Sequence, residues 1–440
     1  MRKLALSVAL AAGILLVAWM WGLNEVVRTH QARAQVGGTV LFIVLDTVRG
    51  DHLSGCGYDR PTSPNLDALA ERGTLVCDAV APGSWTFPSH ASFFTGAWPW
   101  EHHAHFAEAG ADVRKAIIQP LGDELPTLAE QLSEQGYQAH GLSGNPMLQE
   151  ATGLSRGFET WGTPKHFGPW YGTALVRKLK RLLRTEVRTD QPLFLFLNIA
   201  DAHDPWDGVP ADVQWLPEDD ELLAYFRLED DAIVPDDPWT LFVTGRHPDP
   251  EGLKRRVTNL YDHAVWEADQ TLGRSLAVLE DHGWLAEDTR VIVVSDHGEY
   301  LGEHGLLRHG RYLYEPNQRV PLLTIPAVEF VSPTSAMEAY HVALTGRPAG
   351  LPSLAAAWPD SVWAQQSNDQ LGVHTSAATW TSEDKTLWQD GESWTADFDD
   401  ARIGPASPPE HAHAVRMSGV GATGSDPGMV EALKAAGYMD

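Results

Sequence analysis

Cysteine and basic residues are both scarce in this chain of 440 residues. Cys56 and Cys77 are its only cysteines, so no network of disulfides holds the fold together. The two thiols either form one bridge in an oxidising compartment or stay free and buried. The 32 Lys and Arg residues are outnumbered by 59 Asp and Glu residues, which gives a formal net charge of -27. Nucleic-acid binding is therefore not expected, because it depends on clustered cationic side chains that displace counterions from phosphates.

A long apolar run lies near the N-terminus, from Leu4 to Leu23. About twenty apolar residues suffice to cross a bilayer, whereas the apolar part of a cleaved signal peptide usually has about 7–15. Arg2 and Lys3 precede the run, which places the start inside and everything after Leu23 outside. Residues 1–38 are therefore predicted to be a single-pass membrane anchor and stalk, with the rest of the chain extracytoplasmic. Cleavage after Ala32-Arg33-Ala34 is the alternative, and it also exports the protein.

Strand and helix patterns alternate after the stalk. An unbroken apolar strand is predicted at 40–45, and further buried strands are predicted at 193–199, 291–294 and 320–325, as expected where helices cover both faces of a sheet. Helices are predicted at 65–72, at 127–135 and over 261–279, where apolar residues recur every three or four positions. This order predicts an α/β fold with a mixed, mostly parallel central sheet between layers of helices.

The predicted domain boundaries lie where this rhythm stops. Residues 39–330 form the predicted main domain, and an acidic, irregular insertion near 207–255 interrupts it close to the mouth of the site. Periodicity weakens from about residue 331. Residues 331–440 are therefore predicted to form a small α+β subdomain, with strands at 386–388 and 393–398 and a last helix at 429–436.

Polar side chains stand directly after three of the predicted strands. Asp46 follows the first, Asp201 and His203 follow the second, and Asp296 and His297 follow the third. Because active sites of open α/β sheets gather at the carboxyl ends of strands, these side chains are expected to meet. Asp46, Asp296 and His297 supply the oxygen and imidazole donors that a divalent cation takes.

Thr86 lies in the segment GSWTFPSHASFFTG between these strands. Pro88 suits a first helical position, which places Thr86 at a solvent-facing helix cap. Free N–H groups and the helix dipole stabilise an anionic oxygen there. A helix cap without any chemical role is the alternative interpretation of Thr86.

Motifs from Val40 to about Ile325 resemble the successive signatures of the sulfatase family. They are VLFIVLDTVRGDHL, RPTSPNLDALAERG, TFPSHASFFTG, DAHDPW, SDHGEYLGEHG and RVPLL, in the order that the family has. The set covers some two thirds of the chain and is highly specific, although no single motif is. The resemblance implies an alkaline-phosphatase-like fold and a metal-dependent enzyme that hydrolyses sulfuric or phosphoric esters.

The resemblance also implies roles for individual residues. It makes Asp46, Asp296 and His297 ligands of one divalent cation (Ca, Mn, Mg or Zn), with Thr86 as a nucleophile bound to that cation. A second zinc site is not expected, because the D-x-x-x-H spacing is not found around Asp201 and His203.

Further catalytic and substrate-binding positions are implied in the same way. His203 and His309 match positions that face the anionic ester, and both are predicted to be catalytic and to bind substrate. His90 stands in the position of a catalytic arginine. Asn145 ends Ser143-Gly144-Asn145, which replaces a Lys-x-His pair that grips the sulfate, and it is predicted to bind substrate.

Several departures from the family pattern bear on the chemistry. Sulfatases carry Cys or Ser where Thr86 stands, and an enzyme oxidises that residue to formylglycine within C/S-x-P-x-R. Here Thr86 and His90 remove both parts of this signal, and Thr47 replaces a second early aspartate. Superfamily members with a plain Thr nucleophile, such as nucleotide pyrophosphatases/phosphodiesterases, lipoteichoic acid synthases and phosphoethanolamine transferases, move phosphoryl groups.

Two alternative functions follow from these departures. One is an extracytoplasmic phosphotransferase or phosphodiesterase of the same superfamily. The other is a catalytically silent, sulfatase-like protein that binds an anionic ligand. The six retained polar residues of the implied site argue against silence, because burying polar groups without a use costs stability.

Overall fold

The computed structural model describes residues 38–107, 117–168, 171–204, 206, 214–215, 238–310, 312–357, 376–381, 384–389, 392–396, 399–400 and 402–407. The predicted membrane anchor, most of the predicted insertion at 207–255 and the predicted last helix at 429–436 lie outside these residues. Among the residues described, no helix is both long enough and apolar enough to cross a membrane.

The described strands and helices alternate along much of the chain. The strands are β1 (Val40–Leu45), β2 (Thr74–Val80), β3 (Phe106–Ala107), β4 (Ile117–Ile118), β5 (Gln138–Ser143), β6 (Thr160–Gly162), β7 (Leu193–Ile199), β8 (Arg290–Val294), β9 (Tyr300–Leu301), β10 (Leu307–Arg308), β11 (Arg319–Ile325), β12 (Leu354–Ala357), β13 (Ser376–Trp380), β14 (Lys385–Gln389), β15 (Glu392–Ala396) and β16 (Arg402–Pro405). The α-helices are α1 (Pro64–Ala70), α2 (Thr86–Thr95), α3 (Pro99–His102), α4 (Leu128–Glu134), α5 (Thr173–Thr185), α6 (Pro238–Val243), α7 (Pro250–Asp281), α8 (Glu315–Gln318) and α9 (Glu338–Thr345).

The main sheet has seven strands in the order β2-β11-β8-β1-β7-β5-β6. Strand β1 pairs in parallel with both β7 and β8, and β5 pairs in parallel with β6 and β7. Only β11 runs against its neighbours, β8 and β2. The prediction of a mixed, mostly parallel sheet is confirmed, and the four apolar runs predicted as strands are all strands of this sheet.

The two faces of the sheet bury separate apolar cores. Along β1, Val40, Phe42 and Val44 pack into the core on one face, while Leu41, Ile43 and Leu45 pack into the core on the other. This alternation is the period of two that every strand imposes. Helices α2, α4 and α9 supply residues to the first core, and α1, α5 and α7 supply residues to the second. The predicted layers of helices on both faces are therefore present.

Two boundaries differ from the sequence prediction. The region 207–255 was predicted to be irregular, but α6 and the first turn of α7 lie inside it, and each begins with a proline that is suited to a first helical turn. Helix α9 packs into the main core through Ala339 and Val342, so the main layers continue beyond residue 330.

The C-terminal region contains a separate antiparallel sheet. Its five strands follow the order β12-β13-β14-β15-β16. Two of them, β14 and β15, contain or overlap the strands predicted at 386–388 and 393–398. Ala378, Trp380, Leu387 and Ala396 form a small core with Val80 at the end of β2, which attaches this sheet to the main domain.

Cys56 and Cys77 form a disulfide bond, which decides the alternative that the sequence leaves open. The bridge joins the short turn after β1 to strand β2, at a sequence separation of 21 residues. Neither cysteine is fully buried, so the alternative of two buried free thiols is wrong.

Asp201 follows β7, but its hydrogen bonds hold other parts of the fold together. Its Oδ1 accepts hydrogen bonds from the backbone N–H of Gly172 at 2.8 Å and from the hydroxyl of Thr271 at 2.9 Å. These contacts tie the start of α5 to α7. Burial raises the pKa of Asp201 to about 7, although its two hydrogen bonds oppose that change.

Removing the disulfide should destabilise the fold. We expect the double substitution Cys56→Ser/Cys77→Ser to lower the free energy of unfolding by about 3 kcal/mol, since the bridge restricts a loop of about twenty residues in the unfolded chain. Urea unfolding under oxidising conditions measures this loss. The wild type in a reducing agent should reproduce it, while the double variant should not respond to the reductant. Equal stability of wild type and variant under oxidising conditions would contradict the prediction.

The buried Asp201 carboxyl should make the stability depend on pH. Its folded-state pKa of about 7 exceeds the unfolded value of 3.8, so the unfolded chain loses this proton first as pH rises. Wild-type stability therefore falls between about pH 4 and pH 7, by at most about 4 kcal/mol from this group. The variant Asp201→Asn cannot ionise, and its stability relative to wild type should rise over that range. A constant difference in urea unfolding at pH 5 and pH 8 would refute this assignment.

Candidate active site

Asp46 and Asp296 come together because β1 and β8 are parallel neighbours. Val44 is paired with Val294, so the residues that follow both strands emerge at the same end of the sheet. Asp46, Asp296 and His297 are completely buried. One ligand atom from each of the three lies within 4.8 Å of the other two. The structure thus brings the three predicted metal ligands into one group.

The Asp46 carboxylate is fixed by two side-chain amides. Its Oδ2 accepts hydrogen bonds from Asn145 Nδ2 at 2.9 Å and from Asn198 Nδ2 at 2.7 Å. Its Oδ1 is buried and has no hydrogen-bond partner among the described residues. Asn145, which was predicted to bind substrate, therefore contacts a predicted metal ligand directly.

The Asp296 carboxylate is fixed by the backbone instead. Its Oδ1 accepts hydrogen bonds from the N–H groups of Thr47 and His297, both at 3.1 Å. Its Oδ2, like Oδ1 of Asp46, is buried without a hydrogen-bond partner in the described structure, although His90 Nδ1 and His297 Nε2 each lie 3.5 Å from it. A buried carboxylate oxygen left in this way is unfavourable, and a divalent cation satisfies it. The donor set therefore fits a hard divalent cation.

The two carboxylates respond differently to their surroundings. Burial raises the pKa of Asp296 well above its ordinary value, and the neighbouring Asp46 raises it further. Burial opposes ionisation of Asp46 as well, but nearby His203 and His297 hold the pKa of Asp46 below its ordinary value. The pair therefore carries one negative charge more readily than two unless positive charge is supplied between them.

Thr86 lies beside this group at the start of a helix. Helix α2 begins at Thr86, so Pro88 is the third helical residue rather than the first. Thr86 is also fully buried, which contradicts the predicted solvent-facing cap. The Thr86 Oγ1 lies 3.2 Å from Asn145 Nδ2 and 3.4 Å from His297 Nε2. Thus the hydroxyl predicted to be the nucleophile is adjacent to the predicted ligands.

His90 lies one turn further along α2. Its Nδ1–H donates a hydrogen bond to the backbone carbonyl of Thr86 at 2.8 Å, and its Nε2 is 3.4 Å from Asn198 Nδ2. Burial lowers the pKa of His90 to about 4. The ring is therefore neutral and fixes the first turn of the helix. None of its hydrogen bonds is to the Thr86 hydroxyl, and its predicted catalytic role stays a prediction.

His203 and His309 extend the group on one side. The His309 ring lies 4.3 Å from the ring of His297 and 4.9 Å from that of His203. His203 Nδ1 bonds to the backbone carbonyl of Asp204, while its Nε2 is buried without a hydrogen-bond partner among the described residues. Phe167 stacks on the His203 ring at 4.3 Å. Both predicted substrate-facing histidines therefore lie next to the predicted metal ligands.

A buried carboxylate holds His309 in place. His309 Nδ1 lies 3.1 Å from Glu299 Oε2, and Glu299 is 1% exposed. Burial and the neighbouring His203 together lower the pKa of His309 to about 3. Burial also raises the pKa of Glu299 well above its ordinary value. Both changes favour the neutral forms of the pair.

Asp204 was missed by the sequence analysis. With His203 and His309 it forms a second group whose ligand atoms lie within 4.8 Å of one another. Its Oδ2 also lies 2.9 Å from Arg308 Nε, which gives this carboxylate a cationic partner within the protein. The group is therefore compatible with a cation but does not need one to balance its charge.

Two further contacts were also missed. Asn198 is the one polar residue in the apolar strand LFLFLNI, and that exception was the available signal. Glu299 lies two residues beyond His297 in SDHGE, where nothing but its position beside a predicted ligand marks it.

Comparisons with known proteins identify the family of this chain. The family model described as Sulfatase matches residues 38–345. A curated sulfatase from Formosa agariphila is 23% identical over 330 residues, which are 64% of this chain and 63% of the relative. Human arylsulfatase A is 28% identical over 324 residues, covering 66% of this chain and 59% of the relative. The chain thus spans less than two thirds of the length of either relative.

Solved structures share the fold at low sequence identity. The phosphonate monoester hydrolase of Agrobacterium radiobacter has a TM-score of 0.58 at 20% identity, over 86% of this chain and 93% of the other. An alkaline-phosphatase-superfamily protein from Vibrio parahaemolyticus has a TM-score of 0.50 at 16% identity, over 91% and 86% of the two chains. These likenesses support the alkaline-phosphatase-like architecture. Because the family model covers well over half of its residues, the chain belongs to the sulfatase family.

Proposed function

We propose that this chain is a metal-dependent hydrolase of sulfuric or phosphoric esters that uses Thr86 as its nucleophile. The observation that carries the proposal is that the Thr86 hydroxyl converges with His297 Nε2 and with two buried carboxylate oxygens that have no hydrogen-bond partner among the described residues. Asp46, Asp296, His297 and Thr86 would hold one divalent cation. When bound, it supplies a Lewis acid that lowers the pKa of a hydroxyl and polarises an ester oxygen.

Asn145 orients the nucleophile in this scheme. Its single Nδ2 group is within hydrogen-bond distance of both Thr86 Oγ1 and Asp46 Oδ2. The carbonyl end of the same amide accepts a hydrogen bond from Met147 N at 2.8 Å, which fixes the side-chain orientation. The hydroxyl is therefore held next to the ligands before any substrate binds, which reduces the entropy cost of the reaction.

His203 and His309 differ in the hydrogen bonds that their Nδ1 atoms make. His203 Nδ1 donates to the backbone carbonyl of Asp204, so Nε2 is the acceptor of the neutral His203 ring. The neutral forms of Glu299 and His309 place a carboxyl proton toward His309 Nδ1, which leaves a proton on Nε2. One imidazole can accept a proton and the other can donate one to the leaving oxygen, as general acid–base catalysis requires.

The plain threonine favours phosphate esters over sulfate esters. Attack by Thr86 Oγ1 forms a bond to phosphorus or sulfur while the ester oxygen leaves with a proton. Formylglycine can expel sulfate by cleaving its own C–O bond, but threonine has no second hydroxyl for that step. A threonine phosphate is released by in-line attack of water at phosphorus, or of an alcohol if the enzyme is a transferase.

The cellular location belongs to the same proposal. The apolar run from Leu4 to Leu23 supports a single-pass anchor with the site outside the cytoplasm, at the cell surface or in a periplasm. The disulfide between Cys56 and Cys77 supports an oxidising compartment. An extracytoplasmic phosphotransferase or phosphodiesterase would satisfy the same observations, whereas a silent binding protein would leave the converging carboxylates without a use.

Metal analysis tests the cation site directly. We expect elemental analysis of the purified chain to find about one divalent cation per molecule. The substitution Asp296→Asn should abolish binding of this cation, because it removes the carboxylate that supplies one of the predicted ligand oxygens. Asp201→Asn is the matched control, because it removes a buried carboxylate outside the group and should keep the ion. Two tightly bound ions per chain would contradict the single-cation assignment.

An ester panel tests the nucleophile and the substrate together. With nitrophenol as the common leaving group and one metal throughout, phosphate mono- or diesters should react at least about tenfold faster than the sulfate ester, roughly 1.4 kcal/mol in barrier. Thr86→Ala should reduce turnover by at least about a thousandfold because no nucleophile remains. Thr95→Ala, at the other end of the same helix, should retain activity.

Three results would overturn parts of the proposal. A faster sulfate ester with Thr86 intact would refute the substrate preference. An aldehyde at position 86 in peptide mass spectrometry would refute the unmodified nucleophile. If the metal-loaded wild type turns over none of the esters, the proposed ester hydrolysis is refuted.

A further inference from the structure

A cluster of basic residues lies on and just after α5 in this acidic chain. Six of the 32 Lys and Arg residues fall between positions 177 and 188, with Glu186 as the only acid among them. Four of the six, Arg177, Lys180, Arg181 and Arg184, recur at helical spacing and are exposed, and we call them the basic face. No ion pair joins any of these four to another described residue.

The other side of α5 is firmly part of the fold. Leu175, Leu179, Leu182 and Leu183 are buried in the core that α5 shares with α7. The helix is therefore amphipathic, with an anchored apolar side and an outward cationic side. The four cations line one shared concave surface with Thr185. Such a cluster attracts an anionic surface rather than a single partner residue.

Contacts between the chain after α5 and strand β5 show at which end of the sheet the helix ends. The chain leaves α5 and reaches Arg188, whose backbone N–H donates to Gln138 Oε1 at 2.7 Å and whose carbonyl accepts from Gln138 Nε2 at 2.6 Å. Gln138 is the first residue of β5 and is paired with Leu193. The C-terminal end of α5 therefore lies at the end of the sheet where the parallel strands begin.

The N-terminal segment enters at this same end. Strand β1 starts at Val40, which is paired with Phe194 in β7. The apolar run ends at Leu23, and the residues between it and Gly38 reach at most about 50 Å even when extended. A bilayer that holds the apolar run would therefore lie within reach of α5. The active site, at the carboxyl ends of the strands, would face away from it.

We propose that the basic face docks the catalytic domain on the anionic lipid headgroups of the membrane that holds its N-terminus. Clustered Lys and Arg next to a membrane anchor bind anionic lipid surfaces, and the attraction decays within about one Debye length of the bilayer. The remaining surface is strongly acidic and is repelled by such lipids, so one orientation is selected. The substrate does not compete for the basic face, because the active site is at the opposite end of the sheet.

The test uses the full chain in nanodiscs of neutral phosphatidylcholine, with or without phosphatidylglycerol. Because Cys56 and Cys77 are bonded to each other, Thr185→Cys provides a unique thiol for a donor dye beside the basic face. With an acceptor dye on the lipid headgroups, energy transfer should be at least twofold greater in the anionic discs. The increase should disappear in 0.5 M NaCl. A dye at His166→Cys, next to the Phe167 that stacks on His203, should show little transfer.

Two matched variants, each combined with Thr185→Cys, separate the basic face from total charge. Arg177→Gln/Lys180→Gln/Arg181→Gln/Arg184→Gln should abolish the dependence on anionic lipid. Arg72→Gln/Arg255→Gln/Arg347→Gln/Arg402→Gln removes the same charge from exposed positions elsewhere and should retain it. Equal loss in both variants, or equal transfer in neutral and anionic discs, would overturn the proposal.

Two further outcomes separate the docking proposal from the anchor prediction and from binding of an acidic glycan. If the wild type does not remain associated with neutral nanodiscs, the prediction of an N-terminal membrane anchor is wrong. Binding to anionic nanodiscs then tests the basic face alone. If the basic face binds soluble heparin while transfer ignores the lipid charge, its partner is an acidic glycan and the membrane proposal fails.

Discussion

The active site depends on the confinement of two carboxylates in one buried space. Asp46 and Asp296 follow adjacent parallel strands, so the sheet itself forces their side chains together. Two negative charges in a low-dielectric interior repel each other strongly. Two amides donate hydrogen bonds to Asp46 and two backbone N–H groups donate to Asp296, but among the described residues one oxygen of each carboxylate has no hydrogen-bond partner. The remaining compensation must come from a cation or from a proton on Asp296.

Thr47 shows how the backbone contributes to this compensation. The family has a second early aspartate at this position, whereas here the residue supplies a backbone donor to Asp296 Oδ1. Thr47 adopts a positive φ of 62°, which is unfavourable for a β-branched residue. Its carbonyl accepts a hydrogen bond from the Tyr261 hydroxyl at 2.7 Å, and this contact with α7 helps to hold the turn. The fold thus holds Thr47 in an unfavourable backbone conformation, and that conformation lets its N–H group donate a hydrogen bond to the Asp296 carboxylate.

The sequence predicted the main sheet and the pair of carboxylates in the site because both follow from local patterns. Apolar runs locate β1 and β8, and residues directly after parallel neighbours must meet, so Asp46 and Asp296 could be paired without a structure. Asn198 and Asp204 could not be assigned roles in this way. Their contacts join segments that are distant in sequence, and an amide inside a strand or a carboxylate after one has several ordinary explanations.

Helix start positions and burial were harder to predict for a related reason. Pro88 is compatible with any position in the first turn, so it could not fix whether Thr86 precedes the helix or begins it. The burial of Thr86 depends on β8 and on the segment that carries Asn145, which cover it from other parts of the chain. The pairing of Cys56 with Cys77 likewise depends on where β2 lies against the turn after β1, which no periodicity encodes.

The net charge of the chain limits how the site can capture an anion. With a formal charge of -27, the protein repels anionic substrates at long range. At physiological ionic strength that field is screened beyond about 8 Å, so the potential within the site decides binding. Burial lowers the pKa of His309 to about 3, so this ring adds little positive charge of its own. In the proposed mechanism, capture of an anionic ester therefore depends on a cation at Asp46 and Asp296, and the same ion would both bind the ester and activate Thr86.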